Sequence, residues 1–209
     1  MTIQTLTRDF ALPETRRVSD EALDKLFRNA RTHFAWQDRD VPDELLREAL
    51  EIASFGPTAA NSLPLRVVFV RSKEAKERLK PALAAGNVDK TMSAPVTAIL
   101  GHDTRFFDQL HRTFPHADLK PYFEGNPEAA EATARQSATL QIAYLILTLR
   151  ALGLDTGPMA GFDAEKVDAE FFPEGTVHTD LLVNIGYGDV SKLFPRGYRL
   201  RFDEIAQVV

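Results

Sequence analysis

The sequence predicts an α+β protein in which a few short strands stand among longer helices. The longest helical pattern covers residues 128–152, and only three short β-branched or aromatic runs are found. Because these runs do not alternate strictly with helices, a doubly wound parallel sheet is disfavoured. With 209 residues, 44% of them hydrophobic and 26% charged, the chain is long enough to bury a substantial core. We therefore expect one domain at residues 20–209, after a loose arm at residues 1–19.

Start and stop signals define the elements of the first half. Ser19 stands before acidic residues and an apolar pattern at helical spacing, as a helix N-cap does. Pro42, followed by two acidic residues, marks a second helix start, and Gly56–Pro57 stops that helix. Residues 66–70 (RVVFV) predict a buried strand. Residues 73–83 predict an exposed, charged helix.

The second half contains two further strand signals and the longest helix. Residues 95–100 (PVTAIL) and 181–185 (LLVNI) predict the second and third strands. Residues 104–125 are rich in Phe, His, Pro and charge, which predicts either a short helix with a loop or a mobile cover. The C-terminal half of the helix at 128–152 is apolar almost all round, so it should be buried and central. Residues 163–172 predict a short helix.

Composition and missing motifs exclude several classes of protein. The chain has no cysteine, which excludes disulfide scaffolds, thiolate metal sites and cysteine nucleophiles. Its formal net charge of −5 argues against a general nucleic-acid binder. No apolar signal core opens the chain and no run reaches the ~20 apolar residues that span a bilayer, which favours a cytoplasmic protein without a membrane partner. The usual dinucleotide, P-loop, zinc-protease and serine-hydrolase signatures are missing, and the five histidines lack metal-binding spacing, so we expect no metal.

Small polar and cationic residues collect between the predicted elements. Taken singly, each is explained as a solvated surface residue, a turn residue or a Gly or Pro that ends a helix. Taken together, they suit a ligand with a phosphate and a polar ring, because a phosphate needs cations and a hydroxyl while a polar heterocycle needs amides and free backbone N–H groups. The residues are Arg28, Arg31, Thr32, Thr58, Asn61, Asn87, Lys90, Gly157–Gly161, Lys192, Arg196 and Arg199.

The same segments resemble the nitroreductase family of FMN flavoproteins over about residues 20–209. The matching strings are RTHFAW, GPTAANSLP before RVVFV, GNVDK before SAPVTAIL, GLDTGPMAGFD, and LLVNIGYGD followed by a basic tail. FGPTAAN, KPALAAGNVDKT, ALGLDTGPMAGFD and NIGYGDVSKL are most similar to the branch that reduces malonic semialdehyde (3-oxopropanoate) to 3-hydroxypropanoate in pyrimidine degradation. Residues 63–65 read Leu-Pro-Leu where many members have Gln-Pro-Trp, a departure that argues against broad nitroaromatic or quinone specificity.

The resemblance implies a central, mainly antiparallel sheet surrounded by helices, and a homodimer with a flavin at the interface. It also implies NADH or NADPH as co-substrate and hydride transfer through flavin N5, with Lys90 stabilising charge on the ring and no residue acting as nucleophile. The helix at 138–152 is apolar enough to favour such a dimer, because obligate interfaces resemble a divided core. The same helix is also explained as the central helix of a single domain.

The resemblance assigns the site residue by residue. Arg31, or Arg28 one turn away, would bind the FMN phosphate together with Thr32. The basic tail, with Lys192, Arg196 and Arg199, would supply further cations there. The two asparagines and Lys90 would lie along the ring, and the Gly-Pro loop would face N5 and O4 with its backbone. The cofactor-binding residues implied are Arg28, Arg31, Thr32, His33, Thr58, Asn61, Asn87, Lys90, Pro158, Met159, Ala160, Gly161, Lys192, Arg196 and Arg199.

The substrate and the activity leave alternatives open. A malonic semialdehyde carboxylate needs a cation, for which Arg105, Arg112 and His116 are candidates, although each is also explained as a solvated side chain. One alternative is a broad-specificity NAD(P)H nitroreductase or quinone reductase. Another is a flavin-binding or storage protein without a fast substrate.

Overall fold

The computed structural model describes residues 17–209. The arm predicted for residues 1–19 lies outside the described residues apart from its last three. The described residues form a four-stranded sheet in the order β1-β2-β4-β3, in which every neighbouring pair is antiparallel. The strands are β1 (Leu65–Val70), β2 (Val96–Asp103), β3 (Asp155–Met159) and β4 (Val177–Gly186). The predicted α+β class and antiparallel sheet are confirmed.

Helices surround this sheet. The first, α1, continues directly into a π-helical turn at Asp24–Arg28, and short 3₁₀ turns occupy residues 59–61, 80–82, 85–87, 106–109 and 190–192. No helix among residues 17–209 is long and apolar enough to cross a membrane. The helices are α1 (Asp20–Leu23), α2 (Asp43–Ala53), α3 (Lys73–Leu79), α4 (Val88–Met92), α5 (Leu110–Thr113), α6 (Lys120–Glu124), α7 (Pro127–Ala151), α8 (Ala164–Phe171) and α9 (Phe202–Ile205).

The core lies on both faces of the sheet because side chains alternate along each strand. Leu100 and Val183 face α2 and α7, where Leu145 and Leu149 of α7 are almost fully buried. The neighbouring Ile99 belongs to a second apolar cluster on the opposite face, beside α3 and α8. The prediction of a buried central helix is therefore confirmed for α7.

One row of residues crosses the whole sheet. Val70 of β1 pairs with Thr97 of β2, Thr97 with Asn184 of β4, and Asn184 with Gly157 of β3. The two inner members of this row, Thr97 and Asn184, are fully buried polar side chains. Asn184 in this row also donates to the carbonyl of Lys90 and to the hydroxyl of Thr91, so the row joins the sheet to the segment around Lys90.

Strand β3 corrects the interpretation of residues 157–161 as a loop that follows the long helix. Three of these residues, Gly157 to Met159, belong to the strand, so the third predicted strand is in fact the fourth. Gly and Pro form strands poorly, which hid the element, but β3 lies at the sheet edge, where Pro158 is tolerated. The other strands are where they were predicted, with β2 and β4 longer at their ends.

The helix predicted at 73–83 differs from expectation, whereas residues 104–125 follow the first of their two predicted alternatives, a short helix with a loop. The helix predicted at 73–83 ends at Leu79 and continues as a 3₁₀ turn, and it is not wholly exposed, since Lys76 is only 3% accessible. Residues 104–125 form short helices joined by a loop. Their aromatic residues Phe106 and Phe123 are buried in a small cluster against Ala134 of α7.

Candidate functional site

An arginine-rich cavity of about 660 Å³ lies between the π-helical turn, the end of α7 and the C-terminal tail. No carboxylate of residues 17–209 lines it. Arg28 is paired with Asp20 and Asp24 at 3.0 and 2.8 Å, whereas none of the other four arginines forms a salt bridge within residues 17–209. The lining residues are Phe27, Arg28, Ala30, Arg31, Thr32, Arg150, Arg196, Gly197 and Arg199. Several uncompensated guanidinium groups around one cavity make it suited to an anion such as a phosphate.

The tail is held over this cavity by reciprocal contacts. Arg196 Nη2 donates to the carbonyl oxygens of Arg28 and Ala30 at 2.7 and 2.8 Å. Arg31 in turn donates to the carbonyl oxygen of Phe194, whose ring stacks on Phe34 with centroids 5.1 Å apart. Residues far apart in sequence therefore close the cavity from two sides.

Arg150 is a cavity residue that sequence reasoning missed. Its Nη1 donates to the carbonyl of Leu26 at 3.1 Å, while its Nε is buried without a hydrogen-bond partner among the described residues. Burial lowers the pKa of Arg150; Asp155 opposes this, and Arg196 adds to it through like charge. A buried, unpartnered donor fits an anion in the cavity. An arginine at the end of a nearly all-apolar helix was the signal that could have found it.

A second cavity of about 420 Å³ adjoins the first, and Thr32 lines both. It brings together the predicted residues Thr32, His33, Lys90, Pro158 and Met159, which come from three distant parts of the chain. The full lining is Thr32, His33, Phe34, Gly86, Asp89, Lys90, Gly157, Pro158, Met159 and Phe194.

The predicted residues Asn87, Ala160 and Gly161 line neither cavity, although Asn87 follows the lining residue Gly86 and Ala160 follows the lining residue Met159. Asn87 Nδ2 donates to the carbonyl oxygen of Gly161 at 2.7 Å. The backbone N–H of Ala84 donates to the same carbonyl at 3.0 Å, which fixes the turn after β3. Asn87 and Gly161 are thus paired with each other. Ala160, which stands between Met159 and Gly161 in the sequence, is exposed.

His33 attaches the segment shared by both cavities to β3. Its backbone N–H donates to the carbonyl of Thr156 at 3.0 Å, and its ring, 4% exposed, places Nε2 at 3.4 Å from a carboxylate oxygen of Asp155. Nδ1 of this ring is buried without a hydrogen-bond partner among the described residues. This nitrogen is covered by Gly188, where an added Cβ would lie 1.9 Å from it, so the His33 ring is held by packing on this side.

Thr58, Asn61 and Lys192 do not line either cavity. Thr58 and Asn61 lie beside α5, where Asn61 Nδ2 donates to the carbonyl of Thr113 at 2.8 Å. Lys192 is exposed on a 3₁₀ turn. Within one chain, the structure separates these three residues from the other predicted site residues.

The three predicted substrate residues are also outside both cavities. Arg105 forms a salt bridge with Asp108 at 2.8 Å, and Arg112 donates to the amide oxygen of Gln109 at 3.0 Å. His116 is exposed. No group of three or more His, Asp or Glu side chains within residues 17–209 is arranged to hold a metal ion.

Comparison with known proteins identifies the family. Residues 27–187 match the family model described as the nitroreductase family. The chain belongs to the nitroreductase family. A protein of Burkholderia lata named NADH dehydrogenase/NAD(P)H nitroreductase is 56% identical over 191 residues, which cover 91% of this chain and 98% of that protein.

Solved nitroreductase structures share the fold. The Bacillus subtilis protein ydfN, described as a nitroreductase, superimposes with a TM-score of 0.82 at 22% identity, covering 91% of this chain and all of that one. A nitroreductase from Exiguobacterium sibiricum, solved in complex with FMN, has a TM-score of 0.78 at 22% identity and covers 94% of this chain and 99% of its own. The nitroreductase-like fold expected from the sequence is confirmed.

Proposed function

We propose that this nitroreductase-family chain binds FMN and works as an NAD(P)H-dependent oxidoreductase. The observation that carries the proposal is the pair of adjoining cavities. One is lined by five arginines, four of which form no salt bridge within residues 17–209, and the other by Lys90 and residues of β3. FMN has the matching shape, with a doubly charged phosphate at one end and a polar ring at the other. The FMN bound by the Exiguobacterium relative supports this assignment.

Each cavity would hold one end of the cofactor. Arg31, Arg150, Arg196 and Arg199 would neutralise the phosphate, with Thr32 donating its hydroxyl. Bound FMN supplies hydride chemistry at its N5. Residues of β3 and Lys90 would hold the ring in the second cavity. There the ammonium of Lys90 would stabilise negative charge on the ring more strongly than in bulk water.

Replacing Lys90 with Ala should slow anaerobic reduction of the FMN-loaded protein by NADH or NADPH about tenfold. This loss corresponds to ~1.4 kcal/mol of electrostatic stabilisation. Stopped-flow absorbance measures the rate, and the exposed Lys25 provides a matched Lys→Ala control. Parental reduction rate and parental FMN affinity in Lys90→Ala would show that the ammonium has no role at the ring.

We propose that Thr58 and Asn61 line the flavin of a second subunit in a homodimer. Neither residue lines a cavity of its own chain, and two exposed apolar side chains leave room for a partner. Phe55, just after α2, is 87% exposed, and Leu140, in the middle of α7, is 43% exposed. An FMN-loaded protein that sediments as a monomer at micromolar concentration would contradict the proposal.

We propose malonic semialdehyde as the acceptor, reduced to 3-hydroxypropanoate in pyrimidine degradation, on the basis of the sequence strings that resemble that branch. The second candidate is a broad nitroreductase or quinone reductase activity, which the name of the Burkholderia lata relative favours. Arg105, Arg112 and His116 remain candidate carboxylate contacts only if a second subunit brings them to the ring.

Reoxidation of the reduced holoenzyme by a panel of acceptors decides between these activities. We expect malonic semialdehyde to reoxidise it at least ten times faster than a nitroarene or a quinone at equal concentration. The reverse order would favour the nitroreductase alternative. A holoprotein that NADH and NADPH fail to bleach would instead be a flavin-binding or storage protein.

A further inference from the structure

We propose that Lys76 is a positioning residue for the second cavity. It acts from beneath the cavity and contacts no ligand itself. Through buried hydrogen bonds it fixes the backbone that carries Lys90 and the side chain of Met159. The proposal rests on the function proposed above, in which these two residues face the flavin.

The ammonium of Lys76 is almost completely enclosed, with 3% of the residue exposed. Its Nζ donates to the carbonyl oxygens of Thr91 and Ala94 at 2.5 and 2.8 Å, and to the hydroxyl of Thr97 at 3.1 Å. Thr91 belongs to α4 and Ala94 to the turn that follows it. All three ammonium hydrogens are therefore used, two of them to hold the end of the helix that carries Lys90.

A chain of donors continues from Thr97 to the cavity wall. Thr97 donates to Asn184 Oδ1 at 2.7 Å, and Asn184 Nδ2 donates to the Lys90 carbonyl at 3.2 Å and to Thr91 Oγ1 at 3.3 Å. Thr91 donates to Met159 Sδ at 3.5 Å. Because the ammonium can only donate and the Lys90 carbonyl can only accept, the two together fix the directions of the bonds that Thr97 and Asn184 form between them. Aligned bonds of this kind strengthen one another.

The two branches that leave Asn184 both end at residues that line the second cavity. Lys90 and Met159 are lining residues, and the Lys90 carbonyl also accepts a bond from Trp36 Nε1 at 3.1 Å. The backbone of Lys90 is thus held at one atom by two separate side chains. A loosened chain would let the Lys90 ammonium move relative to the ring.

Stability alone does not account for a charge at this position. Burial lowers the pKa of Lys76 to about 8, and no charged side chain within residues 17–209 contributes to the shift. Burying an unpaired charge is costly, and an apolar side chain of similar length would avoid that cost. We explain the charge by its role as the donor from which the hydrogen-bonded chain below the cavity begins.

Two substitutions and two matched controls test the proposal. Lys76→Met removes the ammonium, and Thr97→Val interrupts the chain while keeping the shape. The controls are Lys73→Met, an exposed lysine on the same helix, and Thr148→Val, a buried threonine that bonds only to its own helix. We expect the Kd for FMN, from quenching of its fluorescence at pH 7, to rise about tenfold in both test variants and less than twofold in the controls.

The pH dependence of FMN binding separates positioning from a merely structural role. As pH rises from 7 to 9.5, Lys76 passes its pKa and keeps only two hydrogens for three acceptors, so the parental Kd should rise severalfold. Lys76→Met should lack this component. Equal pH profiles for parent and Lys76→Met, or Kd values equal to those of the controls, would overturn the proposal.

Failure of the proposed function would look different. If the parent itself binds no FMN, the flavin site is wrong, whatever the variants do. If the parent binds FMN and the variants match their controls, only the role of Lys76 is wrong. Should Lys76→Met fail to fold, Thr97→Val alone decides, because it preserves both the volume and the charge.

Discussion

Replacing Arg196 with Ala should raise the dissociation constant for FMN about 100-fold. The loss should be much smaller for a flavin that lacks the phosphate. Arg196 is expected to act as a cation for the phosphate, with its guanidinium held in place by hydrogen bonds to the carbonyl oxygens of Arg28 and Ala30. A charge-assisted hydrogen bond contributes about 1.5–3 kcal/mol, and a 100-fold change corresponds to ~2.7 kcal/mol. Titration of each variant with FMN, followed by the fluorescence of the flavin, measures the dissociation constant.

Riboflavin, which lacks the phosphate, is the decisive comparison. Arg196→Ala and the parent should bind riboflavin within about threefold of each other, and Arg196→Lys should fall between the two for FMN because it keeps the charge without the planar fork. Arg78→Ala, which removes an exposed arginine paired with Glu170, is the control. Equal losses for riboflavin and FMN would mean that Arg196 acts on the fold of the tail and not on the phosphate.

Local sequence patterns predicted the parts of the site that stand in loops. Thr32 and Lys90 were identified because a hydroxyl or a cation next to a turn suits a bound phosphate or ring, and the two cavities bring them together. The helices α2 and α7 were predicted for a similar reason, since a start signal and apolar spacing are both local. Such features depend on neighbours within a few residues.

Arg150 and Lys76 were missed because their roles depend on distant partners. Arg150 directly follows an apolar run, and nothing local in the sequence shows that it lines a cavity with Arg196. Lys76 stands in a charged helix, where lysines are normally solvated. Its acceptors, such as Thr97, lie in other elements, so its burial becomes visible only in three dimensions.

Thr58 and Asn61 are the opposite case, because the sequence predicted them for the site and the structure of one chain does not place them there. Their resemblance to family positions predicts flavin contacts, yet within one chain Asn61 donates to Thr113 and lines neither cavity. A sequence does not state whether two of its segments meet within a chain or between two copies. Whether a second subunit brings them to the ring stays a proposal.

Replacing Gly157 with Ala should both destabilise the protein and weaken FMN binding. A Cβ at this position would lie 2.4 Å from the backbone oxygen of His33, too close for any real contact. The His33 segment cannot easily retreat, because its N–H is bonded to the Thr156 carbonyl at 3.0 Å and Thr32 forms a parallel bridge with Thr156. We expect a loss of ~3 kcal/mol in the free energy of unfolding, the upper end of the usual cost of overpacking.

Gly86 is the matched control for this substitution. It lines the same cavity, but a Cβ there meets no atom within 4 Å, so Gly86→Ala should leave the urea midpoint nearly unchanged. FMN affinity should fall at least tenfold in Gly157→Ala, because moving residues 32–33 off β3 separates the phosphate cavity from the ring cavity. Equal urea midpoints and equal FMN affinities for the two variants would show that the segment at His33 is not held against β3. The glycine that made β3 hard to recognise in the sequence is therefore the residue that lets the two halves of the site join.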